Sequence, residues 1–335
     1  MRISILINNY NYRAFVGRAI ESALNQRHAD VEVIVVDDGS TDGSQDVIDG
    51  YGDRVLAVMQ RNGGQGAAYN SGFALATGDV VIFLDADDWL YPEATERIAA
   101  AWRPGVSKLQ FLLDMVDVHG VPLGRSVPRH LHDGDALALL ASFGAYGSPP
   151  GSGNAYAAAF LRCELPLDAF AWRTAADSVS ILLAPAYGEI VSLAQPLGAY
   201  RLHRQADAGG FLFNNAPLGL WHEYARLVRS KRFVAGALAR LGVPHRETLL
   251  LAPWEVRIAA LCVRFGGMPD GVTEPTAPRA LVAHALRSVW RWPAARWPFK
   301  LALSAWLLGV WLLPEPVALR MARLHKTSIG ATHAA

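Results

Sequence analysis

Cysteine is scarce in this sequence, which has two among 335 residues, Cys163 and Cys262. They form neither a C-x-x-C pair nor a disulfide framework. This excludes a disulfide-stapled scaffold and favours a reducing cytosol, so we expect both to be packing residues. A signal-peptide layout is also missing, because Met1–Ser4 leads directly into a strand pattern. No apolar run reaches the roughly 20 residues of a secure membrane-spanning helix.

Net charge is small, at +1, but it is unevenly distributed. Residues 1–220 carry 15 Lys and Arg against 24 Asp and Glu, whereas residues 221–335 carry 16 against 6. The two parts therefore differ in sign, at −9 and +10, which predicts a basic tail that faces something anionic. A hydrophobic content of 52% allows a substantial core, and the length predicts one large α/β domain with an appendage.

Four short apolar runs alternate with helical patterns in the first part of the chain. The predicted strands are Ile3–Ile7, Val31–Val36, Val55–Met59 and Val80–Leu84. Continuous apolar runs of this kind are typical of strands that helices cover on both faces. The alternation predicts a doubly wound, Rossmann-like sheet, and such sheets bind ligands at the carboxyl ends of their strands.

Polar loops follow several of these strands, and the most acidic is Asp85-Ala86-Asp87-Asp88. Three adjacent carboxylates repel one another, and a divalent cation is the simplest way to keep them ionised. The alternative is a solvated turn in which aspartates cap a helix before Pro92. Because loops Asn8–Tyr12 and Asp37–Asp42 end strands at the same edge, we favour a ligand site.

Two further loops carry many turn residues. Arg61–Gly66 feeds a predicted helix, so its amides could bind a phosphate, although a plain turn is the other interpretation. Thr77-Gly78 is expected to form the C-cap of that helix. Gly147–Asn154 is so rich in Gly, Pro and Ser that we expect a mobile loop over the site. A strand is predicted after it, over Ala155–Leu161.

Taken in order and spacing, these motifs resemble the catalytic domain of glycosyltransferase family 2, which has the GT-A fold. The matching residues are Asn9-Tyr10-Asn11, Val36–Gly43, Asn62 with Gly63, Asn70 with Gly72, Gly78-Asp79 and Phe83–Asp88. The resemblance implies a GT-A catalytic domain over residues 1–205, with a doubly wound mixed sheet. Residues 206–335 would then form a helical, basic C-terminal extension.

The resemblance also implies residue roles. The loop with Asp37 and Asp38 would hold the nucleotide base, usually uracil, while Asp85 would face the ribose or donor sugar. Asp87, supported by Asp88, would bind Mn²⁺ or Mg²⁺. The full set expected to bind the donor is Asn9, Tyr10, Asn11, Asp37, Asp38, Asn62, Gly63, Asn70, Asp85, Ala86, Arg201 and His203.

Inverting members of this family use a carboxylate ahead of a later helix as general base. Asp177 precedes a helix predicted at 178–187, so the resemblance makes it the base for the acceptor hydroxyl. The alternative for Asp177 is a helix N-cap. The sequence departs from the family pattern at two positions: Ala176 replaces a customary Glu, and Asn8 replaces a common proline. Arg201 and His203 would neutralise the diphosphate, unless they serve surface pairing.

The basic tail holds a Trp- and Arg-rich segment at residues 290–300, followed by the uncharged run Leu301–Leu313. A helix of this run is about 20 Å long, short of the roughly 30 Å core of a bilayer. Tryptophans with flanking cations are typical of a helix in a membrane surface, which predicts peripheral membrane contact through residues 290–313. A helix packed on the catalytic domain, or on a second copy in a homo-oligomer, is the alternative.

The expected function is therefore an inverting, metal-dependent transfer of a sugar from a nucleotide diphosphate, a UDP-sugar, to a saccharide or lipid-linked acceptor. We expect it in surface polysaccharide assembly, in the cytoplasm or at the inner face of the cytoplasmic membrane, and without nucleic acid as a partner. A sugar nucleotidyltransferase would need a basic Gly-rich signature early in the chain, and Asn8–Tyr12 is not one. A non-catalytic sugar-nucleotide-binding or scaffold protein is the other alternative, and Ala176 favours it.

Overall fold

The computed structural model describes residues 1–129, 131–132, 135–203, 220–265, 278–293 and 295–328. The chain divides into two compact units. The first consists of residues 1–136 and 147–203, and the second of residues 137–146 and 204–335. The boundary predicted between residues 205 and 206 lies outside the described residues.

One mixed sheet forms the centre of the first unit. Its strands are β1 (Ile3–Asn9), β2 (Val31–Asp37), β3 (Leu56–Met59), β4 (Val80–Asp85), β5 (Trp89–Leu90), β6 (Val106–Val116), β7 (Pro122–Val127), β8 (Asn154–Ala157) and β9 (Glu189–Arg201). The helices up to this point of the chain are α1 (Arg13–Leu24), α2 (Ser44–Asp49), α3 (Gln65–Leu75), α4 (Ala94–Ala101), α5 (Ala136–Phe143), α6 (Ala158–Glu164) and α7 (Asp177–Leu183).

The strand order is β3-β2-β1-β4-β8-β6-β9-β5, with β7 paired to β6. Strands β1 to β4 are parallel, β8 runs antiparallel to both β4 and β6, and β9 is parallel to β6. The predicted doubly wound mixed sheet is confirmed. Ile5 and Ile7 of β1 pack in one core with Val16 and Ile20 of α1, which explains why the strand is apolar on that face.

Strand register brings the expected site residues together. Asn8 of β1 lies opposite Asp85 of β4, and Asn9 lies opposite Asp37 of β2. Since parallel strands end at the same edge, three polar loops meet there as the sequence predicts. The acidic turn continues directly from β4 into β5.

Several local predictions are wrong. Helix α3 ends at Leu75, and Gly78 is not its C-cap; a Cβ at Gly78 would lie 2.7 Å from the Ser4 backbone nitrogen, so glycine permits close strand packing. Gly147–Asn154 is not a mobile loop, because Gly151–Asn154 is buried and the Asn154 side chain donates to the Pro150 carbonyl at 2.8 Å. Cys163 is exposed, whereas Cys262 is buried as expected.

The predicted strand Ala155–Leu161 is only half right. Strand β8 ends at Ala157, and α6 begins at Ala158. The residues that follow, Ala158-Ala159-Phe160-Leu161, include alanine and leucine, which are strong helix formers, so the local preference changes within the run.

The second unit is helical. Its helices after α5 are α8 (Leu220–Arg240), α9 (Pro253–Phe265), α10 (Pro278–Arg291), α11 (Trp297–Leu312) and α12 (Glu315–Ser328). Its core contains Val256 and Ala259 of α9, Ala285 of α10, and Leu303 and Leu307 of α11. Among the helices that the structure describes, none combines the length and hydropathy needed to cross a bilayer.

Candidate active site

The loop after β2 is organised by its first carboxylate. Asp37 is fully buried and accepts hydrogen bonds from the Asn9 side chain (2.7 Å), the Ser40 backbone N–H (2.8 Å) and Gln45 (3.1 Å). Burial acts to raise the pKa of Asp37, but these hydrogen bonds hold it below the ordinary value. The Asp37 carboxylate thus binds protein groups and fixes the conformation of the loop.

Tyr10 and Asn11 lie in the loop after β1, next to the loop after β2. The Asn11 side-chain oxygen accepts the Thr41 N–H at 2.8 Å, and its own φ is +57°, a left-handed conformation that asparagine tolerates. The Tyr10 side chain is 48% exposed. Of the residues expected to hold a base, Tyr10 therefore presents an aromatic ring to solvent.

The glycine-rich loop is locked by Asp38. The two carboxylate oxygens of Asp38 accept the N–H groups of Gly63 (2.8 Å) and Gly64 (2.7 Å). The next two N–H groups, of Gln65 and Gly66, donate to the backbone carbonyls of residues 173 and 172, both at 2.9 Å. Because these amides are taken by the protein, the structure favours the turn interpretation over the phosphate site.

Asn62 and Asn70, both expected to bind the donor, hold a neighbouring loop. Asn70 makes two hydrogen bonds with the backbone of Leu167, donating to its carbonyl (2.8 Å) and accepting its N–H (2.7 Å). The Asn62 side chain donates to the Asp38 carbonyl (2.9 Å) and accepts from Arg173. These asparagines fasten residues 167–173 against the loop of Asp38.

Replacing Gly64 by alanine should destabilise the protein by roughly 2–5 kcal/mol. Gly64 has φ +87°, and a Cβ there would lie 2.5 Å from the Arg173 carbonyl oxygen and 2.9 Å from its Cα. Gly105→Ala is the matched control, since Gly105 has φ +88° but nothing within 4 Å of a built Cβ. The midpoint of urea unfolding measures both. Equal shifts in the two variants would contradict the steric cause.

Within the acidic turn, burial and the negative charge of Asp87 both raise the pKa of Asp85 and of Asp88. Asp85 accepts a hydrogen bond from the Asn8 side chain at 3.0 Å. Burial and repulsion from Asp87 nevertheless raise the pKa of Asp85 to about 7, and the same causes raise the pKa of Asp88. The turn therefore carries repulsion that a bound cation would relieve.

Asp88 joins three segments of the first unit. Its carboxylate accepts the Ser152 hydroxyl at 2.7 Å and the Arg201 backbone N–H at 2.9 Å, and the residue is 2% exposed. Both oxygens are thus occupied by the protein. These two hydrogen bonds fix the turn between β4 and β5 to the end of β9, and the supporting metal ligand expected at Asp88 stays a prediction.

Arg201 is likewise turned inward. Its guanidinium donates to the carbonyls of Asp87 (2.9 Å) and Val118 (2.7 Å) and lies 4.5 Å from the ring centre of Phe15. The residue is 3% exposed. This burial excludes the surface ion pair considered for it, and the guanidinium holds the backbone of the acidic turn. Ala86, also expected near the donor, places its side chain in the hydrophobic core.

Asp87 and His203 form the more open pair. His203 Nε2 lies 2.7 Å from Asp87 Oδ2, and the two side chains are 26% and 16% exposed. The rings of Tyr12 and Phe15 lie 5.7 and 5.5 Å from the imidazole and set its orientation. Carboxylate oxygens suit Mn²⁺ and Mg²⁺, and imidazole is a ligand of transition metals. Within the described residues no group of three or more His, Cys, Asp or Glu forms a complete cation site.

Asp177 lies on the same edge. It is the first residue of α7, its neighbour Ala176 is the N-cap, and no side-chain hydrogen bond caps the helix. A Cβ built on Gly151 would lie 3.5 Å from an Asp177 oxygen and 3.7 Å from an Asp85 oxygen. The structure thus brings the Asp85 and Asp177 carboxylates close to one glycine, and it places Asp177 at the first helical position rather than at the N-cap.

The backbone before Asp177 is held in an unusual conformation. Ala175 has φ +59°, which is rare for alanine and persists only where surrounding structure imposes it. The Gln65 side chain accepts the Ala176 N–H at 2.9 Å. Strain of this kind is common at active sites, and here it sets the start of α7.

Ser152 and Gln65 are residues of this site that sequence reasoning misses. Ser152 accepts the Asp85 backbone N–H at 3.2 Å while donating to Asp88, so one hydroxyl orders the acidic turn. A serine within a Gly- and Pro-rich run carries no signal of such a role. Asn8 does carry one, because its place at the end of a parallel strand predicts a neighbour in β4.

The architecture is shared with solved structures. Crystal structures of S. aureus TarS residues 1–349, in complex with UDP and with UDP-GlcNAc, align over 98% of this chain with TM-scores of 0.53 and 0.54 and 18% identity. The alignment includes 91% and 92% of the residues of those two TarS chains. The curled mixed sheet is that of the GT-A glycosyltransferases.

Sequence comparison finds relatives among the glycosyltransferases. Residues 4–108 match the model of glycosyl transferase family 2. An uncharacterised glycosyltransferase of Nostoc sp. is 39% identical over 210 residues, which are 61% of this chain and 65% of that protein. The hyaluronan synthase of Pasteurella multocida is 40% identical over 97 residues, 28% of this chain and 10% of the synthase. The chain spans less than two thirds of these curated relatives. Its amino-terminal part is therefore similar to the family 2 glycosyltransferases.

Proposed function

We propose that the protein is an inverting, metal-dependent glycosyltransferase that uses a nucleotide diphosphate sugar, a UDP-sugar. The observation that carries this proposal is the meeting of Asp85, Asp87 and Asp177 at one edge of the sheet. The UDP and UDP-GlcNAc complexes of TarS support the choice of UDP, although the likeness to TarS by itself concerns the fold.

The donor would lie along this edge. The loop shaped by Asp37 and Asp38 would receive the base, with the exposed ring of Tyr10 as a stacking surface. Asp85, oriented by Asn8, would face the ribose or the donor sugar. We assign Arg201 to positioning, because its guanidinium already binds two backbone carbonyls.

Asp87 would hold Mn²⁺ or Mg²⁺, with the diphosphate supplying further oxygen ligands, and His203 could add a ligand to Mn²⁺. When bound, the ion stabilises the negative charge that develops on the leaving diphosphate. Asp88 keeps the turn in place through Ser152 and the end of β9, so that Asp87 faces outward.

Asp177 would act as general base for the acceptor. It takes the proton of the acceptor hydroxyl, the hydroxyl oxygen bonds to the anomeric carbon, and the bond from that carbon to the diphosphate oxygen breaks. Attack from the side opposite the leaving group inverts the anomeric centre. The products are UDP and the extended glycoside.

The acceptor we propose is a saccharide or a lipid-linked saccharide of surface polysaccharide assembly, reached in the cytoplasm or at the inner face of the cytoplasmic membrane. The name of the Pasteurella relative, a hyaluronan synthase, supports polysaccharide synthesis. The rival is a sugar-nucleotide-binding protein without turnover. Ala176 favours it, since the position of the family's usual Glu is here an apolar, fully buried side chain.

The test is release of UDP from UDP-sugars with Mn²⁺ and a panel of saccharide acceptors. Asp87→Ala should lower the rate by about 10²–10³-fold, because one stabiliser of developing charge is lost. Asp49→Ala, at an exposed position at the end of α2, is the control and should match the wild type. Unchanged release in Asp87→Ala would refute its role. If the wild type bound a UDP-sugar but released no UDP from it, the result would favour the binding protein without turnover.

A further inference from the structure

Helix α11 of the second unit is apolar on two opposite faces. Leu303, Leu307 and Val310 are buried among the other helices. The opposite face carries large apolar side chains that are 37–71% exposed, namely Trp297, Leu301, Leu308 and Leu312. At about 100° per residue these four lie within roughly 60° of arc, so they form one stripe, called here the α11 stripe.

The exposed apolar surface continues past both ends of the helix. Trp290 of α10 is 51% exposed, and its carbonyl accepts a hydrogen bond from Lys300 of α11 at 3.0 Å, which places the two helix ends side by side. Leu313 and Val317 are exposed at the other end. Single exposed apolar residues are ordinary, but a continuous row of this kind marks an interaction surface.

The helices that carry this surface are rich in cations. Residues 278–328 contain eight Lys and Arg and a single acid, Glu315. The arginines that the structure shows as exposed in this range are Arg279, Arg287, Arg291, Arg296 and Arg320. A partner for this surface must therefore be apolar at its centre and anionic around it.

We propose that the α11 stripe docks on an anionic lipid bilayer, with the helix axis in the plane of the surface. Sixteen residues give a helix of about 24 Å, too short to span the roughly 30 Å hydrocarbon core but suited to lying at its boundary. Tryptophans prefer that boundary, and arginines reach the lipid phosphates. The proposal concerns the second unit and does not depend on the donor or the reaction.

A second copy of the chain fits this surface less well. A two-fold contact places the same patch on both subunits, so it would bring the basic rims of the two stripes against each other. Within residues 278–328, Glu315 is the one acid available to offset them. Charge complementarity therefore selects an anionic surface.

The experiment is sedimentation of the full chain with vesicles of phosphatidylcholine, with and without phosphatidylglycerol. We expect binding to the anionic vesicles, at least a tenfold loss of it in Trp297→Ser/Leu312→Ser, and about fivefold loss for Arg296→Gln. Phe170→Ser removes a 93% exposed aromatic side chain of the first unit and should bind as the wild type does. Far-ultraviolet circular dichroism checks that the variants, altered at exposed positions, remain folded.

Two outcomes overturn the proposal. One is that the wild type does not sediment with anionic vesicles, or that the double variant sediments equally well. The other is a wild-type dimer by light scattering that the double variant converts to a monomer while vesicles bind neither protein, which would make a second copy the occupant.

Discussion

Asp177→Asn is expected to lower kcat by about 10²–10⁴-fold while leaving the affinity for the UDP-sugar within a few-fold of the wild type. The amide keeps the size of the side chain but cannot accept the acceptor's proton. Ala176 is the N-cap of α7 and Asp177 its first residue, so the substitution leaves the N-cap residue unchanged. Initial rates and donor titration by calorimetry separate the two quantities.

Asp168→Asn is a matched control for the same chemical change. Asp168 is exposed and accepts the backbone N–H groups of Phe170 (3.0 Å) and Ala171 (3.1 Å). Its kcat should remain within about twofold of the wild type, as surface substitutions usually do little. If Asp177→Asn were as active as this control, the general base would have to be sought elsewhere.

Glu255→Ala is expected to have the largest effect on stability, lowering the free energy of unfolding by about 3–5 kcal/mol. Glu255 and Lys231 form a 2.6 Å ion pair in the second unit, with side chains only 11% and 12% exposed. Lys231 also donates to the carbonyls of Phe143 and Leu250, which ties α8 to α5 and to the start of α9. Loss of the carboxylate leaves a buried ammonium with no counter-charge.

The contrast is Glu189→Ala, which breaks the ion pair with Arg103, where both side chains are about half exposed. It should cost about 0–1 kcal/mol, because water screens an exposed pair. Urea unfolding of both variants gives the comparison. A similar small loss in Glu255→Ala would mean that water reaches Lys231 and that the pair is not a structural tie.

Much of the sheet and of its acidic edge follows from the sequence. Strand β4 is a continuous apolar run, and β1 and β2 are largely apolar, a pattern typical of parallel strands that helices cover on both faces. Their carboxyl ends are then neighbours by topology, which is why Asn9, Asp37 and Asp85 could be placed at one edge before any contact was known.

The hydrogen bonds that these carboxylates make within the protein could not be predicted from the sequence. Asp88 is held by the backbone of Arg201, 113 residues away, and such a contact depends on where β9 enters the sheet. Ser152 lies in a run of turn residues whose composition indicates mobility, yet burial and hydrogen bonding make that run rigid. Local propensity reports on neighbours in sequence, whereas these partners are neighbours only in space.

The position of β5 has a consequence for the shape of the sheet. Strands β4 and β5 are separated by the residues Ala86–Asp88, yet four strand spacings lie between them in the sheet order. Laid flat, that path would measure about 19 Å, whereas the four steps of chain reach about 14 Å at most. The sheet must therefore bend round until its far edge meets its middle. The acidic turn joins β4, in the middle of the sheet, to β5 at its edge. The spacing of its carboxylates therefore depends on how strongly the whole sheet is curved.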